Sequence, residues 1–204
     1  MKSKKRDIVD GAISDLSQTR CEIKEAAKRL IAVQGYAATT IRQIAQKVSM
    51  KGGSLYYHFG GKEEILFSIY DEGNRLLLDA ASRILKLNLK DPLAILQKLI
   101  QEHVRILAKD PDQFRVVNTE LNRLKGERRK RILSQRNQYE SVIQNLLAQG
   151  IKEKSIRPCN VKVTSYGVIA LLNGVAYWYK PGGPLTIEQI AKEYSQVLLN
   201  GLRA

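Results

Sequence analysis

Apolar side chains recur three and four residues apart along most of this chain, the spacing that lines one face of an α-helix. Ile23, Ala26, Ala27, Leu30 and Ile31 predict a helix over about 19–34, stopped by Gly35. Ile41, Ile44, Ala45 and Val48 predict a short helix over about 40–47. After a break near Ser49 and Met50 another short helix spans about 51–57, and Gly60 and Gly61 separate it from a long pattern over about 62–87. Asp91-Pro92 and Asp110-Pro111 each read as an N-cap followed by proline at the first helical position, opening helices at about 92–108 and 111–123. A helix over about 127–149 is expected to stop at Gly150, and Asn160 caps one over about 161–178. Pro181 to Pro184 force a turn before Thr186 and Gln189, a capping box for a last helix over about 186–200. No segment alternates with the period of two that a half-buried strand needs, so the expected fold is all-α with about nine helices.

The domain division follows the same pattern: a flexible basic tail over 1–18, a compact unit of short helices over 19–64, and a larger helical domain over 65–204. With 204 residues and 44% hydrophobic content the chain can bury a core without staples. The two cysteines, Cys21 and Cys159, lie far apart and outside any metal-ligand spacing, which suits a reducing cytoplasm and suggests neither a disulfide framework nor a zinc site. No signal peptide or membrane-spanning run is expected. The net charge of +14 changes the picture more, because it favours a phosphate-rich or anionic partner.

That charge is concentrated where the short helices lie. From Gly35 to Lys62 there is no acidic residue, while Arg42, Lys47, Lys51 and Lys62 stand among Thr39, Thr40, Ser49, Ser54, Tyr56, Tyr57 and His58. Two short amphipathic helices joined by a tight turn and braced by a longer one are the parts of a helix-turn-helix, whose second helix enters the major groove. Cations and hydroxyls beside helix N-termini are the groups that position such a unit on phosphates.

The stretches Thr40-Ile41-Arg42-Gln43-Ile44-Ala45, Ser54-Leu55-Tyr56-Tyr57-His58-Phe59 and Lys62-Glu63-Glu64-Ile65-Leu66 resemble the N-terminal domain of the tetracycline-repressor family. The resemblance covers roughly residues 20–66 and implies a three-helix DNA-binding domain in a dimer that releases operator DNA when a ligand binds. Carried over by position, it places Lys51, Gly52 and Ser54 at the start of the recognition helix, near base edges or phosphates. Tyr56, Tyr57 and His58 would face the DNA backbone, with Arg42 on the preceding helix; Thr40 and Lys62 would hold phosphates at helix starts; Leu55 and Phe59 would pack inward. The chain departs from the pattern at Gly53, where a side chain is usual, and at Gly60-Gly61, where a small polar cap is usual. Adjacent glycines cost a helix about 1 kcal/mol each relative to alanine, and they allow close backbone approach to DNA.

In the larger domain the helix over 161–178 carries apolar residues on most faces, including Val163, Tyr166, Val168, Leu171, Leu172, Val175 and Trp178. One face would cover a core or pocket and another a second subunit, with Gly167 and Gly174 permitting close approach. The last helix has a stripe of Ile187, Ile190, Ala191, Tyr194, Val197 and Leu198, suited to a two-fold four-helix interface. On the helix over 127–149 the stripe Ile132, Tyr139, Ile143, Leu146 includes Arg136, a cation on an apolar face. Its partner is Glu120 or another acid, water, or an anionic group on a ligand. His103, among Leu96, Leu99, Ile100 and Leu107, reads as a satisfied histidine.

The segment from Phe114-Arg115-Val116-Val117 to Asn173-Gly174-Val175-Ala176-Tyr177-Trp178 is similar to the branch of this family that responds to acyl-CoA thioesters. That similarity implies an apolar pocket for an acyl chain, lined by Phe114, Tyr139, Tyr166, Asn173, Tyr177 and Trp178, with Arg123, Arg128, Arg129 and Arg136 near the CoA phosphates. The run from Arg123 to Arg131 is otherwise a solvated basic face. The expected function is a cytoplasmic, ligand-responsive repressor that binds palindromic operator DNA as a homodimer through the helices at 161–178 and 186–200. It needs no cofactor or metal, and its effector is an acyl-CoA. The alternative is a repressor of an efflux or stress operon answering another hydrophobic ligand. Ligand would act by shifting the 62–87 helix near Gly73. An enzyme has no compact nucleophile, metal or nucleotide motif to support it, and a membrane-surface protein would need a free apolar helix face.

Overall fold

The computed structural model describes the backbone of residues 2–204 and the side chains of residues 16–204. Among these residues the chain forms ten α-helices and one 3-10 turn. They are α1 (Lys2–Ala38), α2 (Ile41–Lys47), α3 (Gly52–His58), α4 (Lys62–Leu85), α5 (Pro92–Lys109), α6 (Pro111–Thr119), the 3-10 turn Leu121–Arg123, α7 (Gly126–Lys152), α8 (Val161–Asn173), α9 (Val175–Trp178) and α10 (Ile187–Leu202). The basic side chains Lys2, Lys4, Lys5 and Arg6 of the expected tail lie outside the described residues. None of the described helices is long and apolar enough to cross a membrane.

Caps explain most of the boundaries. Asp91, Asp110 and Asn160 accept backbone N–H groups of Leu93, Gln113 and Val163, and Thr186 and Gln189 form the expected capping box. Several boundaries differ from the sequence reading: the backbone is helical from Lys2 where a tail over 1–18 is expected, and α6 ends at Thr119, with Leu121–Arg123 forming the separate 3-10 turn. Gly35, at φ 80°, breaks the helical geometry of α1 as expected, but one further turn follows to Ala38. Gly150 does not end α7, which continues to Lys152; the glycine is needed there because the Ile156 side chain occupies the place of a Cβ. The helix expected over 161–178 divides at Gly174 into α8 and α9.

Two apolar clusters organise the molecule. The first joins Ile23, Ala27 and Ile31 of α1 to Ile44, Leu55 and Phe59 of α2, α3 and the loop after it, and to Ile65, Leu66, Ile69 and Tyr70 at the head of α4. It also takes in Val116, Val117, Leu124 and Ile132, so the small N-terminal unit shares its core with α6 and α7. The second is built from the rear of α4, α5, the rear of α7, α8, α9 and α10. Most of the α10 stripe packs on this second core: Ile190 and Ala191 are buried and Ile187, Tyr194 and Leu198 partly so, while Val197 remains exposed. The interface expected along that stripe is therefore narrower than the sequence pattern implied.

Candidate DNA interface and effector cavity

The turn between α2 and α3 is tight: Ser49 has φ 55° and Met50 N–H donates to Ala45 O at 2.8 Å. Leu55 and Phe59 are buried, which holds α3 against α1 and α4 and turns its other face outward. On that outer face Lys51, Ser54, Tyr56 and Tyr57 are exposed, Tyr57 at 77%, and Arg42 on α2 is exposed beside them. Gly52 and Gly53 have open space where a Cβ would stand, so the leading turn of α3 presents bare backbone. Thr40 is the N-cap of α2, in a reciprocal capping box with Gln43, and is exposed. The His58 ring packs edge-on to Tyr57 at 5.3 Å, and its Nδ1 is buried without a hydrogen-bond partner.

Lys62 is placed differently from the phosphate contact expected of it. Its ammonium donates to Tyr36 O at 2.7 Å and Thr39 O at 2.5 Å and lies 4.2 Å from the Tyr36 ring centroid. Burial and the nearby Arg123 charge push its pKa down. Lys62 thus closes the turn between α1 and α2. Gly61 brings no side chain to the N-cap of α4, and the Glu64 carboxylate accepts from Gly60 N–H at 2.9 Å instead. Arg20 was not legible as a site residue. It donates from Nη1 to His58 O at the end of α3, lies 3.4 Å from Glu64 and covers the Phe59 ring at 4.0 Å. Arg20 therefore positions the recognition helix from behind.

The larger domain encloses a cavity of about 440 Å³, within the span of about 300–1,000 Å³ usual for small-molecule sites. Six of the ten predicted effector residues line it: Phe114 from α6, Arg136 and Tyr139 from α7, Tyr166 and Asn173 from α8, and Tyr177 from α9. Asn74 and Leu77 of α4, His103 of α5 and Val117 and Asn118 of α6 complete much of the wall. Tyr166 and Tyr177 are half exposed at 50% and 54%, so the cavity reaches the surface along α8 and α9.

The other four predicted residues lie away from it. Trp178 donates from Nε1 to Tyr194 Oη at 3.1 Å on the outside of the molecule. Arg123 pairs with Glu120 at 3.4 Å, and Arg128 lies 3.9 Å from both Glu63 and Glu64 at the head of α4. Arg129, half-buried beside Arg128 on α7, is also absent from the cavity wall. Arg128 thus belongs to the junction of α7 with α4 and Arg123 to the turn after α6, where their carboxylate partners lie.

Arg136 has no carboxylate partner among the described residues. Its Nη2 donates to Val117 O at 2.6 Å and its Cζ lies 5.9 Å from the Tyr70 ring centroid. Burial lowers its pKa, yet a guanidinium stays protonated at neutral pH. Opposite polar groups are mutually satisfied. Tyr139 Oη lies 2.9 Å from His103 Nδ1, and His103 Nε2 lies 3.3 Å from Asn173 Oδ1. With Tyr139 donating to Nδ1 and Nε2–H donating to Asn173, His103 is a neutral imidazole, and complete burial pushes its pKa down to about 4.

A larger groove of about 760 Å³ lies between α1 and α4, but charged side chains line it and pair across it. Lys24 meets Glu72 at 2.5 Å and Arg20 meets Glu64 at 3.4 Å, leaving it an ion-paired cleft.

Helix α6 connects the cavity to the DNA-facing unit. Its Phe114, Val117 and Asn118 form cavity wall. At its start Asp110 pairs with the buried Lys28 of α1, and after its end Glu120 accepts from Tyr36 N–H at 3.0 Å. Gln113 Nε2 donates to Ile69 O of α4 at 2.7 Å, and Tyr70 Oη donates to Val116 O at 3.0 Å. Gly73 permits this approach, since a Cβ there would stand 3.0 Å from Gln113 Nε2 and 3.3 Å from Val117 Cγ2.

Family models agree with this layout. Residues 23–69 match the bacterial regulatory proteins of the tetR family, and residues 89–202 match a tetracyclin repressor-like C-terminal domain. The chain is 32% identical over 199 residues to the HTH-type transcriptional repressor KstR2 of Mycobacterium tuberculosis, covering 95% of this chain and 98% of that one. The solved structure of that ketosteroid transcriptional regulator superposes with a TM-score of 0.85 at 29% identity, covering 91% of this chain and 95% of the other. AibR, solved in complex with isovaleryl coenzyme A and operator DNA, superposes with a TM-score of 0.77 at 27% identity, covering 88% and 97%. With a recognition helix braced on α1 and α4, a separate effector-sized cavity and matches across both halves, this chain belongs to the tetracycline-repressor family and is a helix-turn-helix transcriptional repressor.

Proposed function

We propose that the protein binds palindromic operator DNA as a homodimer and is released by an acyl-CoA thioester whose acyl group enters the 440 Å³ cavity. The observation that carries this reading is the cavity itself: aromatic and aliphatic walls, a few fixed polar groups, and an opening at Tyr166 and Tyr177 through which a nucleotide too large for the cavity would extend. The likeness to AibR, solved with isovaleryl coenzyme A, supports the ligand class. Arg123, Arg128 and Arg129 are poor candidates for the CoA phosphates: Arg123 pairs with Glu120, Arg128 lies against Glu63 and Glu64, and none of the three lines the cavity.

Dimerisation rests on the outer face of α8 and α9 with Val197 of α10. Val163, Leu171, Trp178 and Val197 are exposed there, and Gly167 has open space over its Cα. Occupancy would move α6, and α6 would move α1 and α4 through Asp110, Gln113, Val116 and Glu120, changing the separation of the two recognition helices. The experiment is a titration of the protein on the DNA flanking its own gene, repeated with CoA thioesters of graded chain length, the free acids and CoA alone. Release by thioesters only supports the reading. Tight DNA binding that no thioester disturbs removes the ligand class and leaves the repressor.

A further inference from the structure

Two donors at the α6 wall of the cavity lack what their burial calls for. Asn118 Nδ2 is buried without a hydrogen-bond partner and lines the cavity. Arg136 lies beside the adjoining peptide, bonded to Val117 O at 2.6 Å, so the amide and the guanidinium stand on the same stretch of wall. An unpaired buried donor is destabilising, and a buried cation without an anion more so. The groups that touch Arg136 supply no negative charge: Val117 O is a neutral carbonyl, and burial raises the Tyr70 pKa so that its phenol stays neutral. Glu120, the nearest acid in sequence to this wall, is engaged by Arg123 and Tyr36 N–H. Glu140 lines the cavity one turn along α7, but its carboxylate accepts from Gln144 Nε2 at 2.5 Å and makes no pair with Arg136. His103, Tyr139 and Asn173 satisfy one another and add no charge.

We infer that the cavity selects ligands bearing a carboxylate, seated between the Arg136 guanidinium and the Asn118 amide. A planar carboxylate matches the guanidinium fork, and its remaining lone pairs reach the Asn118 donor. A thioester carbonyl would satisfy the amide but would leave the cation without an anion. Resting on the acyl-CoA reading, the inference makes the effector the monothioester of a dicarboxylic acid. The same carboxylate chemistry is also offered by a simple free acid, and the test separates the two sources.

Calorimetric titrations of the full-length protein would use suberoyl-CoA, octanoyl-CoA, octanoate and CoA alone, which need no variant to be informative. The expected result is that suberoyl-CoA binds on the order of tenfold or more tighter than octanoyl-CoA. Arg136→Met and Asn118→Leu should each shrink that ratio toward one, by weakening suberoyl-CoA more than octanoyl-CoA. Arg136→Lys, the gentler variant, should retain part of the preference. Equal affinity for the two thioesters overturns the carboxylate site and leaves the acyl-CoA reading intact. Equal loss of both thioesters in Asn118→Leu also overturns it, by assigning the donor to the thioester carbonyl. Octanoate binding that depends on Arg136, with no thioester binding, keeps the carboxylate site and overturns the acyl-CoA reading. Failure of every probe to bind overturns both.

Discussion

His103 sets a stability window that can be calculated. Its ordinary pKa of 6.5 falls to about 4 in the folded protein, because complete burial disfavours the imidazolium, while the hydrogen bond to Asn173 opposes the shift. Between those values the unfolded chain binds a proton that the folded chain refuses, so stability falls as pH drops through the window. Lowering the pH from about 7 to about 5 should remove about 2 kcal/mol through this residue alone, approaching about 3 kcal/mol near the folded pKa. Carboxylates also titrate in acid, so the informative quantity is a difference between two proteins. In His103→Gln the amide oxygen can accept from Tyr139 and the amide nitrogen can donate to Asn173, leaving no titrating group. Urea denaturation at fixed protomer concentration should show the unmodified protein losing about 2 kcal/mol more than the variant between those two pH values. Equal losses would refute the neutral, buried imidazole and with it the tautomer assigned to the cavity wall.

Other consequences are equally open to measurement. Lys51→Ala and Arg42→Ala remove exposed cations from the DNA-facing surface, so each should weaken operator binding and flatten its dependence on log salt by about one unit, with little change in melting temperature. Arg20→Met removes the donor to His58 O and the cover of Phe59; it should cost about 1–2 kcal/mol of stability and weaken operator binding, and unchanged operator affinity would deny it a positioning role. Gly150→Ala drives a methyl into Ile156 and should destabilise the protein by about 1–3 kcal/mol in thermal melts. Arg128→Ala should leave thioester affinity within about twofold, since it breaks an exposed pair at the α4 junction and touches no cavity wall.

Local signals were readable in the sequence and pairings across distance were not. The N-caps Asp91, Asp110 and Asn160 and the Thr186–Gln189 box act within one helical turn, so spacing alone locates them. The inward Leu55 and Phe59 of the helix-turn-helix follow instead from the family resemblance. Glycine is more ambiguous, because it serves both chain reversal and close approach. Gly35 breaks the helix, whereas Gly150 admits Ile156 from the following loop, and periodicity cannot tell these apart. Of the partners of the basic run from Arg123 to Arg131, Glu120 and Glu127 are local, whereas Glu63, Glu64 and Asp71 lie far earlier in the chain on α4 and only the fold brings them near. Arg20 and Asn118 gave no sequence signal, since each acquires its role from an element that only the tertiary fold brings near; His103 reads as a satisfied histidine, and the fold supplies Tyr139 and Asn173 as its partners. Arg136 was visible as a cation on an apolar stripe, and the fold decided that no acid answers it.

The account stands on the claim that filling the cavity displaces the DNA-facing unit through α6. The direct measurement is the distance between spin labels at position 57 in the two subunits, placed by Tyr57→Cys in a background with Cys21 and Cys159 replaced by serine. Adding a thioester that releases DNA should shift the distance distribution to a new maximum, and Gln113→Leu, which removes the bond to Ile69 O, should blunt the shift. An unchanged distribution with the thioester bound and the DNA released would contradict the account.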